Sequence, residues 1–254
     1  MIVSCSTLCF ARHSLDTIFD FLAELDFSRF DVVVHDHSLH LTPSAACGDP
    51  HKVSAFLKQR PGILPASFFY REARKDLERE LNEIKGLALL ARHCQVPLIT
   101  VLPSPNLEIS AREVDRLTQL VSIASKEGVE LSVSTQGGTW ACVPEALATA
   151  CKAIRGLSVT LDPTHLPILD ISPEILDLVV ARVSHVHLRD SGKGPHQFQT
   201  KVGKGQVEHG RILNMLERAN YQRLLSIDIH DIPDSPFPVF PEVRKMKFLL
   251  ESLL

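Results

Sequence analysis

Short apolar runs and longer amphipathic stretches alternate along the whole chain. A run of apolar and β-branched residues between turn residues predicts a strand, whereas apolar residues at every third or fourth position predict a helix. Eight runs have the first pattern: IVSC (2–5), FDVVV (30–34), ILPASFF (63–69), PLITVL (97–102), ELSVS (130–134), LSVTL (157–161), SHVHL (184–188) and LLSIDI (224–229).

The predicted helices lie between these strands and after the last one. Their ranges are 14–25, 72–93, 110–128, 144–154, 172–183, 209–220 and 240–254. The remaining helix, near HKVSAFLKQ (51–59), has the weakest periodicity. Successive strands begin about 30 residues apart, which is the size of one strand and helix unit.

Eight such units in 254 residues predict an α/β fold of the (β/α)8 TIM barrel type, forming a single domain over residues 1–254. A doubly wound open sheet is the competing architecture. It would usually carry a glycine-rich phosphate turn after the first strand, and CSTLCFARHS has none. The barrel is therefore the favoured fold.

The charge distribution and the apolar runs argue against several classes of protein. The formal net charge is −3 and no stretch concentrates lysine or arginine, which argues against nucleic acid or an anionic membrane as a partner. No apolar run approaches the roughly 18 residues that would cross a bilayer. The first ten residues lack the pattern of a signal peptide. We expect a cytoplasmic protein with a small-molecule partner.

Strand six ends where Asp162 begins a polar segment, with His165 three residues later. In (β/α)8 barrels the active site lies at the carboxyl ends of the strands, so both side chains are candidates for it. A carboxylate and an imidazole placed in this way can ligate a metal or act as an acid and a base. The alternative is an Asx-turn at Asp162, with His165 as a surface loop residue.

Strand seven carries two histidines, His185 and His187, whose side chains point to the same side because strand residues alternate. His187 is nearer the mouth of the barrel and is the candidate ligand. His185 lies one layer deeper and is interpreted as a core histidine with a hydrogen-bond partner. Asp190, just beyond the strand, could accept a hydrogen bond from an imidazole N–H.

Strand eight carries Asp228 and His230 on one face. An aspartate in an apolar strand is costly to bury unless it is paired or bound to a metal. We therefore predict that Asp162, His165, His187 and Asp228 hold a divalent ion such as Mn²⁺, Zn²⁺, Fe²⁺ or Mg²⁺, since these ions accept mixed carboxylate and imidazole ligands. The alternative for Asp228 is a buried salt bridge to an inward arginine or lysine.

Three motifs together resemble the xylose isomerase-like TIM barrel superfamily, which includes sugar phosphate isomerases/epimerases and endonuclease IV. LDPTHL (161–166) resembles the family's D-x-x-H after strand six, and HVHLRDS (185–191) its H-x-x-D on strand seven. The segment from 201 to 229 is similar to its glycine turn, helix and final strand.

The resemblance to the epimerase branch implies a metal held by Glu, Asp, His and Glu on strands five to eight, with both glutamates moving protons. The Asp is Asp162 and the His is His187, but the second Glu position holds the shorter Asp228 and the first holds Ser134. The resemblance to endonuclease IV is weaker, because QFQTK (197–201) lacks the additional zinc ligands of that branch.

Two functions remain open. The first is a divalent-metal-assisted sugar (phosphate) isomerase or epimerase with Asp228 and His187 as catalytic residues. Because Ser134 is no base, a one-base lyase or hydrolase fits equally well. The second is a barrel that binds a small ligand without catalysis.

The predicted substrate contacts are Ser134, Gln136, Trp140 and His230. For Trp140, packing against the rim is an equal alternative to substrate contact. The family resemblance also implies a homo-oligomer.

Overall fold

Eight parallel strands form a closed barrel in which each strand pairs with the next and β8 pairs with β1. The computed structural model describes residues 1–168, 173–194, 197–233 and 235–254. The strands are β1 Ile2–Ser6, β2 Arg29–Val34, β3 Leu64–Tyr70, β4 Leu98–Val101, β5 Glu130–Ser134, β6 Leu157–Leu161, β7 Val183–Leu188 and β8 Leu224–Ile227. The predicted (β/α)8 barrel is confirmed.

Helices connect the strands around the outside of the barrel. They are α1 Leu15–Glu24, α2 Pro43–Gly48, α3 Pro50–Leu57, α4 Leu77–Cys94, α5 Ala111–Lys126, α6 Pro144–Ala153, α7 His165–Ile168, α8 His209–Arg218 and α9 Val239–Leu253. Side-chain caps set several of the starts, as at α5, where Ser110 Oγ accepts a hydrogen bond from Glu113 N–H at 3.2 Å. No helix in the described part of the chain is both long and apolar enough to cross a membrane.

The helix predicted over 172–183 is replaced by two 3₁₀ turns, Pro173–Leu178 and Val180–Arg182. Residue 172 lies outside the described residues. The turns meet at Val179, whose φ of −124° departs from helical geometry. Two adjacent β-branched residues, Val179 and Val180, lower the helical propensity at this point. The apolar spacing indicated a helical segment here, but not the type of helix.

The interior of the barrel contains a polar layer just below its mouth. The hydroxyl groups of Thr100, Ser132 and Thr160 hydrogen-bond to one another at 2.6 to 3.0 Å. Because side chains alternate along a strand, Ser134 and Asp162 lie one layer above Ser132 and Thr160 on the same side. Ser134 and Asp162 therefore lie directly above a layer of paired hydroxyls.

A glycine turn after β7 folds onto Asp190. The Asp190 carboxylate accepts backbone N–H groups from Gly203 at 2.9 Å, Gly205 at 3.0 Å and Val207 at 3.4 Å. The expectation that Asp190 orients an imidazole is therefore corrected, since its oxygens hold the turn. Gly205 permits the close approach, because a Cβ there would lie 2.5 Å from the backbone oxygen of Ser191.

Replacing Gly205 by alanine should destabilise the protein by about 1–3 kcal/mol, because the added methyl group overpacks the contact with Asp190 and the backbone. Urea unfolding measures the change. Gly48→Ala is the matched control, since a Cβ there would meet nothing within 4 Å. Equal midpoints for the two variants would show that the turn tolerates the methyl group.

Candidate functional site

A cavity of about 280 Å³ opens at the carboxyl ends of β3 to β8. Seven of the predicted site residues line it: Ser134, Gln136, Asp162, His165, His187, Asp228 and His230. The eighth, Trp140, is fully buried and is not among the lining residues that the structure describes. Of the two interpretations of Trp140, the structure therefore favours packing over substrate contact.

Asp162 is anchored on both carboxylate oxygens. Oδ2 lies 2.8 Å from Nη1 of Arg189, and Oδ1 accepts the backbone N–H of Thr164 at 3.0 Å. The second contact is the Asx-turn considered above. Burial alone raises the pKa of Asp162, but the charge of Arg189 and the Thr164 hydrogen bonds outweigh it, so the pKa is lowered. Asp162 is therefore ionised and paired.

Asp228 is buried directly after β8, where its backbone N–H donates to the oxygen of Leu188 at 2.9 Å. Its Oδ2 lies 3.1 Å from His230 Nε2, 3.8 Å from His187 Nδ1 and 3.8 Å from Arg189 Nη1. Its Oδ1 has no hydrogen-bond partner among the described residues. Arg189 is thus the inward arginine that the alternative interpretation of Asp228 required.

The charge state of Asp228 follows from these neighbours. Burial raises its pKa, but His187, His230 and Arg189 outweigh burial, and the pKa is well below its usual value. A buried polar atom without a partner calls for an explanation such as a bound ion, water or ligand. The free Oδ1 therefore marks Asp228 as the group available to a ligand.

His187 lies between two carboxylates. Its Nε2 is 3.4 Å from Asp31 Oδ2, and its Nδ1 faces Asp228. Burial lowers the pKa of His187, but the charges of Asp228 and Asp31 outweigh burial and raise it. The ring also contacts Phe69, at 5.1 Å between ring centroids. Because β3 and β7 lie on opposite sides of the barrel, this contact closes the floor of the cavity.

A buried pair below His187 was not anticipated from the sequence. His185 Nε2 lies 2.6 Å from Asp31 Oδ2, and neither side chain is more than 1% exposed. His185 is thus a core histidine with a partner, as interpreted. Burial alone raises the pKa of Asp31, and the two histidines together lower it. The alternation of β2 places Asp31 inside, but its partner across the barrel is not a local property of the sequence.

The remaining predicted residues surround the mouth. His165, in α7, is 6% exposed and its Nδ1 has no partner within the described chain. Ser134 ends β5 with its side chain toward the cavity, whereas Gln136 is exposed at the rim. Gln199 fixes the backbone of His230. Its Oε1 accepts the N–H of His230 at 2.9 Å, and its Nε2 donates to the backbone oxygen of His230 at 3.0 Å.

Two arginines of the cavity were missed. Arg189 follows His187 by two positions, so the alternation of β7 places it on the same face. Its Nε donates to the backbone oxygen of Phe198 at 3.1 Å, which fixes the guanidinium between Asp162 and Asp228. Arg71 directly follows β3 and also lines the cavity. Both arginines could have been identified by extending the inward and outward alternation of β3 and β7 one residue past the strand ends.

In the described residues, the one group of three with donor atoms within 4.8 Å of one another is Asp31, His185 and His187. An ion there would have to replace the Asp31–His185 pair. The predicted ligands Asp162, His165, His187 and Asp228 line one cavity but do not form such a group in the described part of the chain. Asp162 is paired with Arg189, and the Nδ1 of His187 faces Oδ2 of Asp228 at 3.8 Å.

The fold and the family model assign the chain to its class. A model of the xylose isomerase-like TIM barrel matches residues 19–249, and the chain belongs to that family. A curated relative, an uncharacterized protein of Methanocaldococcus jannaschii, is 23% identical and covers 91% of this chain and 84% of its own length.

Solved structures share the fold over the full chain. A D-tagatose 3-epimerase-like protein has a TM-score of 0.76 at 18% identity, and covers 100% of this chain and 98% of its own. An IolI protein with a bound zinc atom has a TM-score of 0.79 at 15% identity, with 100% and 99% covered. The probable 3-DHS dehydratase AsbF of Bacillus anthracis has a TM-score of 0.76 at 13% identity, with 97% and 99% covered.

Asp31→Asn should destabilise the protein by roughly 3–5 kcal/mol, because it leaves His185 and His187 buried without their carboxylate. Urea unfolding at neutral pH measures the loss. Asp26→Asn is the control: Asp26 is exposed at a φ of 56°, a conformation that asparagine also adopts, so its effect should stay within about 0.5 kcal/mol. Similar stabilities for the two variants would mean that the buried pair contributes little.

Proposed function

We propose that the protein is an enzyme that moves a proton at the carbon next to the carbonyl of a small polyhydroxylated compound. The observation that carries this proposal is the ionised, buried Asp228, with one carboxylate oxygen unpaired beside the cavity. A carboxylate that is ionised at neutral pH can accept a proton, and general base catalysis contributes about 10²- to 10⁴-fold to a rate. The basic groups that keep Asp228 ionised also lower its basicity.

The residues around Asp228 would orient its carboxylate and bind the substrate. His230 fixes Oδ2, so that Oδ1 is the oxygen that accepts the substrate proton. In the absence of an ion, His187 can donate a hydrogen bond to the carbonyl oxygen of the substrate. The free Nδ1 of His165 and the hydroxyl of Ser134 can bind substrate hydroxyl groups.

A divalent ion, Mn²⁺, Zn²⁺, Fe²⁺ or Mg²⁺, would polarise the carbonyl of the substrate when bound. Asp162, a neutral His187 and Asp228 would hold it, and the zinc in the IolI neighbour supports a divalent ion in this fold. Ser134 provides neither a fourth ligand nor a second base. A one-base reaction, either isomerisation or elimination, therefore fits these residues best. The epimerase-like and probable dehydratase neighbours support the same range of reactions.

The second function is a barrel that binds a small ligand without catalysis. It is favoured by the position of Arg189, which occupies Asp162 and approaches Asp228. A fixed guanidinium between two carboxylates offsets part of their negative charge without an ion. The two functions differ in whether metal and proton exchange are present in the purified protein.

Metal content of protein purified without chelators separates the two functions. We expect near-stoichiometric Mn, Zn or Fe in the unaltered protein and loss of it in Asp228→Asn. Proton exchange with solvent in a panel of ketoses, followed by NMR, should fall about 10²-fold or more in the same variant. Asp115→Asn, on the exposed face of α5, is the control. Metal-free protein without exchange would leave the binding barrel as the function.

Supplying the missing carboxylate provides a second test. Ser134→Glu should increase divalent metal affinity by about tenfold or more, because a further charged ligand strengthens such a site. Titration against a competing chelator measures it. Ser134→Gln has the same length without the charge and should leave the affinity unchanged. Equal affinities for the two variants would show that residue 134 does not face the ion.

A further inference from the structure

Arg71 extends from the end of β3 into the mouth cavity. Its backbone N–H donates to the oxygen of Val34 at 2.9 Å, which continues the sheet by one residue. Phe69 and Arg71 therefore point inward, whereas Tyr70 points outward and its hydroxyl donates to Glu83 of α4. The side chain of Arg71 is partly buried and lines the cavity opposite His187.

Among the described residues, Arg71 has no carboxylate partner, unlike Arg189 of the same cavity. Its guanidinium carbon lies 5.6 Å from the ring centroid of Phe69, a cation–π contact. No carboxylate of the described residues lies within ion-pair distance of it. Arg189, in contrast, has Asp162 at 2.8 Å and Asp228 at 3.8 Å. An arginine that is withdrawn from water usually has an anionic partner.

The carboxylates at the mouth of the cavity face other basic groups. Arg189 pairs with Asp162, and Asp228 faces His187 and His230. The fork of a guanidinium matches two oxygens of a carboxylate or phosphate. A single anionic group at Arg71 would therefore supply the partner that the described residues do not.

We propose that Arg71 binds a carboxylate or phosphate group of the substrate, so that the ligand is a small anionic polyhydroxylated compound rather than a neutral sugar. The proposal rests on the proposed function only in that both place the ligand in the same cavity. A cavity of about 280 Å³ is at the lower end of the range for small-molecule sites, which restricts the ligand to a single short chain or ring.

Isothermal titration calorimetry of the full chain tests this without measuring turnover. The probes are D-gluconate, its neutral counterpart D-sorbitol, and inorganic phosphate. D-Gluconate should bind at least about tenfold more tightly than D-sorbitol, and Arg71→Met should remove this difference, while Arg71→Lys should keep part of it. Arg155→Met is the control, because it removes the same charge from an exposed position before β6, at the opposite end of the barrel.

Each result has one meaning. Gluconate binding that depends on Arg71 supports a carboxylate ligand, and phosphate binding that depends on Arg71 supports a phosphate ester. Equal binding of gluconate and sorbitol together with no phosphate binding overturns the proposal, as does unchanged anion binding in Arg71→Met. The first comparison uses the unaltered protein, so it decides even if a variant fails to fold. Failure of the metal and exchange measurements would leave this result standing.

Discussion

The inward face of β7 organises the site, because it places three basic side chains in a row between carboxylates from other strands. His185, His187 and Arg189 follow one another at every second residue and therefore share one face. His185 pairs with Asp31 deep in the barrel, and His187 lies between Asp31 and Asp228. At the mouth, Arg189 bonds Asp162 and approaches Asp228.

This row explains why the carboxylates remain ionised when buried. A buried charge is tolerated when it is paired and hydrogen-bonded, and removing one partner is far more costly than lacking the pair altogether. Asp31, Asp162 and Asp228 each have their pKa lowered by basic groups of the row. Reactivity is then left to the atoms that the row does not satisfy, chiefly Asp228 Oδ1.

Arg189 also sets a competition at the mouth. The guanidinium and a divalent ion would both use the Oδ2 of Asp162, so each would have to displace the other there. Arg189 is held by Phe198 as well, which adds to the free energy needed to move it. With Ser134 in place of a third carboxylate, an ion would have one negative ligand fewer. Any metal affinity at the mouth would therefore depend on how readily Arg189 leaves Asp162.

The sequence was sufficient for the barrel and for most residues at its mouth, because both depend on local periodicity and on where strands end. Asp162, His187 and Asp228 could be found in this way. Asp31 could not be paired with His185, since the two lie 154 positions apart and meet only across the closed barrel. Trp140 follows β5 as a rim residue would, yet it is fully buried, because the 3₁₀ turn Trp140–Cys142 directs it inward.

The cavity is chemically divided in a way that would orient a ligand. On the β3 side it presents Phe69 and Arg71, which has no carboxylate partner in the described part of the chain, and on the β8 side it presents Asp228 and His230. A ligand anchored at Arg71 has its far end directed toward Asp228 across the floor formed by Phe69 and His187. Binding free energy gained at the remote anchor can then position the reacting carbon, which is how contacts away from the chemistry raise a rate.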